Sequence, residues 1–159
     1  MIRGIFGTIV GLLVAFVVIA VTDAINHRLY PPPEAIRTAA MKQDFVALRA
    51  AVKEWLPNAP LLTQILVPTG WIVGTFLGAI TAAGIARARP LVPVLIVGGL
   101  VWLATMANLR MLPHPAWMAA CGLIGIPLAA LTAFGLTPRR AALAGPQPYD
   151  MRKKNMACK

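Results

Sequence analysis

The sequence predicts an all-α fold: a four-helix transmembrane bundle with an extra amphipathic interfacial helix between spans 1 and 2. Three observations lead to it. Of the 159 residues 58% are hydrophobic and only 13% charged, with a mean hydropathy of +0.73. A domain of this size buries only about 70% of the surface its unfolded chain exposes, so in water much of that apolar surface would stay uncovered. The apolar residues also gather into four runs, at about 5–29, 61–86, 91–108 and 116–136, each close to the ~20 residues that a helix needs to cross roughly 30 Å of hydrocarbon. Finally, none of the runs alternates, which a membrane strand in a closed barrel requires, so helices are the only way to satisfy the backbone in lipid.

The first span starts after Arg3 and holds eighteen uncharged residues from Ile5 to Thr22. That is longer than a signal-peptide core and is read as a retained anchor. The run covers about 27 Å as a helix, which places Asp23 at the edge of the hydrocarbon and His27 one turn beyond. Asp23 and His27, four apart, share a helix face. His27 and Arg28 suit the negative end of the helix dipole, whereas Asp23 needs a positive partner, for which His27, Arg110 and His114 are the candidates. Tyr30 precedes a proline and is pushed out of helical angles, so the span should end near Leu29. The prolines 31–33 then form a stiff post of about 9 Å.

In the connection 31–60, Met41, Phe45, Leu48, Val52 and Trp55 recur at spacings of 4, 3, 4 and 3, with Lys42, Asp44, Arg49, Lys53 and Glu54 between them. This pattern predicts one amphipathic helix over about 41–56, lying in the headgroup layer or over the ends of the spans; "PNAP" at 57–60 stops it. The second span carries a glycine-zipper row, Gly70, Gly74 and Gly78 continued by Ala82, and the first span a similar row of Gly7, Gly11 and Ala15. Spacing by four aligns these residues on one face, where two backbones can approach closely. Contact between these two spans of one chain is expected in preference to contact between copies. Pro127 should kink the fourth span, with Gly122 and Gly125 allowing close contact beside it.

Orientation follows from the basic residues. With the N-terminus in the cytoplasm, Arg3, Arg87, Arg89, Arg139, Arg140, Arg152, Lys153, Lys154 and Lys159 lie inside, nine in all, against six outside: Arg28, Arg37, Lys42, Arg49, Lys53 and Arg110. Both termini are therefore expected in the cytoplasm, with residues 1–136 as the transmembrane domain and 137–159 as a basic tail held by anionic lipid headgroups or docked on a partner. Trp55, Trp71, Trp102 and Trp117 all favour the outer side, as in an aromatic belt. Despite a net charge of +10, the cations sit at the ends of apolar runs, so the partners expected are the lipid bilayer and other membrane protein subunits, with no nucleic acid. Cys121 lies in an apolar run and Cys158 in the tail, a spacing that suggests neither a disulfide nor a metal motif.

There is no nucleophile elbow, no H-E-x-x-H and no phosphate-cradling loop, and the acids are not paired. The expectation is a protein that is not an enzyme and has no cofactor. The topology does gather Asp23, His27, Arg110 and His114 on the outer side. The favoured reading of that cluster is a polar clamp on helix ends, since a charge near hydrocarbon pairs or faces the bundle. A proton or ion site from Asp23, His27 and His114 comes second, and a metal site from the same three is the weak candidate. The arrangement "HRLYPPP" (27–33), an amphipathic connector and "PHPAW" (113–117) resembles a set of uncharacterised small bacterial four-span inner-membrane proteins. The resemblance covers most of the chain up to Leu136 and implies a bacterial inner membrane, with no activity attached. Abundant packing signals beside scarce chemistry favour a non-catalytic accessory or scaffolding subunit of a larger membrane complex. The alternative is a small transporter, channel or ion-handling protein using the Asp/His cluster.

Overall fold

The computed structural model describes residues 2–86 and 90–137; the expected basic tail at 138–159 and the basic residues at 87 and 89 lie outside the described residues. The order is α1 (Ile2–Leu29), α2 (Glu34–Met41), α3 (Phe45–Trp55), a 3-10 turn (Leu56–Asn58), α4 (Leu61–Ala86), α5 (Leu91–Met111) and α6 (Ala116–Leu136). Among the described residues there is no strand. Four helices, α1, α4, α5 and α6, are long and apolar enough to cross a membrane.

The hub is α4, which packs against α1, α5 and α6. Its seam with α1 is antiparallel and follows from the small residues. Gly7 faces Ala82, Gly11 faces Gly78, Ala15 faces Gly74 and Thr22 faces Gly70. A Cβ on Gly11 would stand 2.6 Å from the Gly78 carbonyl oxygen, and one on Gly78 would stand 2.5 Å from that of Gly11. Only hydrogen fits at either position, so backbone touches backbone and gains dispersion contacts with which lipid cannot compete. The large residues of α1 accordingly point the other way: Ile5, Phe6, Ile9, Leu13, Phe16 and Val17 are all exposed. On the other side of α4, Trp71 is buried against Gly122 of α6, which Thr105 of α5 also approaches, and the Ile72 side chain fills the space beside Gly125. The two central clusters are built on Ala15, Trp71, Val97, Val101 and Ile126, and on Ala79, Ala83, Val94, Ala130 and Ala133.

Pro127 lies inside α6 and Pro68 inside α4. Each lacks an N–H, so the carbonyl four residues earlier, Leu123 or Gln64, loses its helical donor. At α6 the loss is made good by Trp102 of α5, whose indole N–H donates to the Leu123 carbonyl at 3.1 Å.

The connector departs from the single amphipathic helix expected over about 41–56. It forms two helices, and the second starts at Phe45. Helix α2 begins straight off the proline post: Pro33, at φ −51 and ψ 151, accepts from the Ile36 and Arg37 amides. It ends in a Schellman motif, with the Asp44 amide donating to Ala39 O, the Gln43 amide to Ala40 O, and Gln43 in the left-handed region at φ 54. Asp44 then caps α3 by accepting from the Ala47 amide at 3.0 Å. The break also divides the expected apolar stripe. Met41 and Phe45 are exposed, whereas Val52 and Leu56 are buried, with Ile36, Leu48, Trp55 and Leu112 packed around them. That small cluster ties α2 and α3 to the turn between α5 and α6.

Candidate functional site at the polar end of the bundle

The end of the bundle that carries α2 and α3 holds most of the polar side chains with chemical potential. On α1, Asp23 is half-buried and His27 is exposed. The α4-facing row of α1 continues through Thr22 to Asn26, which is 4% exposed and donates from Nδ2 to the Thr63 carbonyl oxygen at 3.3 Å. Both Asn26 Oδ1 and Thr63 Oγ1 are buried without a hydrogen-bonding partner in the protein. The reason at Thr63 is local. Threonines 8, 22, 69, 75, 81, 132 and 137 each donate to the carbonyl four residues back. For Thr63 that carbonyl is Ala59 O, which lies before the helix and already accepts from Gln64 Nε2. Gln64 Nε2 also donates to Leu56 O, and the two bonds of 3.1 Å pin the 3-10 turn to the start of α4.

His114 lies in the α5–α6 turn. Its Nδ1 is 2.9 Å from Leu112 O, and its ring stands over Trp71 with centroids 6.0 Å apart and planes tilted by 60°. Pro113, Pro115, Leu56, Pro57 and Lys53 wall a pocket of about 270 Å³ beside it. Arg110, in the last turn of α5, faces elsewhere: with Arg49 and Lys53 of α3 it lines a groove between α3 and α5.

The four residues grouped from the sequence thus occupy three settings: Asp23 and His27 on α1, His114 on Trp71, and Arg110 among cations of α3. Among the described residues, no three of His, Cys, Asp and Glu form a group able to hold a metal ion, so Asp23, His27 and His114 do not make one. Asn26, Thr63 and Gln64 are the polar residues that sequence reasoning passed over. Asn26 was traceable, because it lies four residues beyond Thr22 on the row that holds Gly7, Gly11 and Ala15. Gln64 is unremarkable in sequence, and only the turn before α4 gives it a task. Compared with protein families, with curated proteins and with solved structures, the chain matches none of them.

Proposed function

We propose that the protein is a non-catalytic accessory subunit of a larger membrane complex, resident in a bacterial inner membrane with both termini in the cytoplasm and α3 lying at the interface. The observation that carries this reading is how α1 is used. Its small residues are consumed in the seam with α4, and its large apolar residues, Ile5 to Val17, form an outward face along most of the membrane. Packing of that kind supplies a rigid surface for another span, while the polar residues stay dispersed at one end. Neighbouring helices would meet that surface by van der Waals fit, the term that drives association in lipid.

The test is extraction of the native protein in a mild detergent followed by native gel analysis and mass spectrometry. The expected result is migration with the same larger membrane protein at fixed stoichiometry, lost when Leu13 and Phe16 are both replaced by alanine. A monomer from several independent extractions would sink the proposal.

A further inference from the structure

The groove between α3 and the end of α5 has a volume of about 570 Å³ and is lined by residues of two chemical kinds. Arg49 and Lys53, four apart on α3, present charge from one helix face, and Arg110 adds a third cation from the last turn of α5. Among the residues that line the groove there is no acid. Beside the cations, Phe45, Val46 and Met111 are 58%, 83% and 50% exposed. Three exposed like charges lining one groove repel one another unless an anion joins them. Exposed Phe, Val and Met next to those charges offer apolar contact to a ligand with hydrocarbon of its own. Inorganic phosphate satisfies the first condition and not the second.

We propose that this groove binds one anionic phospholipid, its phosphodiester headgroup held by Arg49, Lys53 and Arg110 and its acyl chains laid along Phe45, Val46 and Met111. The position fits, since Arg110 closes a membrane-length helix and so stands at headgroup level. The arginines bring planar forks suited to phosphate oxygens. Attraction of an anionic surface for a nearby basic residue corresponds to about fivefold in affinity, hence on the order of 100-fold for three. The argument holds for either leaflet, because it rests on the groove and not on the direction of insertion.

The experiment is native mass spectrometry of the purified full chain titrated with phosphatidylglycerol or with phosphatidylcholine. One phosphatidylglycerol should be retained at a concentration at least tenfold below that needed for phosphatidylcholine. In R49Q/R110Q, which keeps only Lys53 of the three cations, that preference should fall to about fivefold or less. The control R28Q/R37Q, which removes two exposed cations outside the groove, should keep it. Equal retention of the two lipids by the wild type would overturn the proposal, as would an equal loss in the control, which would mean that net charge alone decides. Displacement of phosphatidylglycerol by millimolar inorganic phosphate would also overturn it, because the site would then recognise a free anion rather than a lipid.

Discussion

Trp102 and Pro127 illustrate how one residue creates a need that another meets. Proline at 127 removes the amide that the Leu123 carbonyl would have accepted, and the indole N–H of Trp102 takes its place. A buried carbonyl left without a donor costs about 1–3 kcal/mol in water-soluble proteins, and interhelical hydrogen bonds in membranes average nearer 0.6 kcal/mol. We expect Trp102→Phe to destabilise the fold by about 1 kcal/mol. In a Pro127→Ala background, where the helix supplies its own amide, the same change should cost clearly less. Reversible unfolding of the four proteins of this double-mutant cycle in mixed micelles measures the coupling, and strictly additive costs would contradict the pairing. The sequence showed a tryptophan in one span and a proline in the next. It gave no sign that they meet, because that depends on how α5 and α6 are rotated against each other.

At the scale of elements, the glycines fall into two classes that spacing alone does not separate. A Cβ at Gly78 would meet the Gly11 carbonyl oxygen at 2.5 Å and Ala15 Cβ at 2.7 Å, whereas one at Gly99, in the middle of α5, meets nothing within 4 Å. Gly78→Ala should therefore force α1 away from α4 and cost about 1–3 kcal/mol, as overpacking does. Gly99→Ala should gain up to about 1 kcal/mol from helix propensity. Thermal unfolding in one detergent compares them directly, and a Gly78→Ala protein as stable as the wild type would contradict the close seam. The rows Gly70, Gly74, Gly78 and Gly7, Gly11, Ala15 were legible because a period of four on two apolar runs has one simple physical use. The break between α2 and α3 was not. A 4-3-4-3 apolar pattern says nothing of a left-handed residue in its midst, and Gln43 is not a residue type that announces one. Asp44 was the available signal, since an acid placed to cap Ala47 ends one helix and opens the next.

For the whole molecule, length and hydropathy made four membrane-length helices legible, because each run needs only its own residues to be recognised. The polar end resisted, since which side chains meet there is set by tertiary rotation: Asp23 is half-buried on α1, while Arg110 lines a groove with residues of α3. Insertion is a further property of the whole chain. In the orientation proposed above, four spans would put both termini on one side, and the surplus of nine basic residues over six favours the cytoplasm for that side. The margin is narrow because α3 and its surroundings carry several of the opposing six. Removing Arg49, Lys53 and Arg110 as glutamines should thus strengthen the orientation without reversing it. In the otherwise unchanged protein, a periplasm-dependent reporter fused after Thr137 should be inactive. A single cysteine at Lys42, placed in a cysteine-free variant, should react with a membrane-impermeant maleimide added to intact cells. The opposite pair of results would invert the topology, and a mixed population would mean that six outer cations nearly balance nine inner ones. In that case the glutamine triple variant should collapse the mixture to the orientation with cytoplasmic termini.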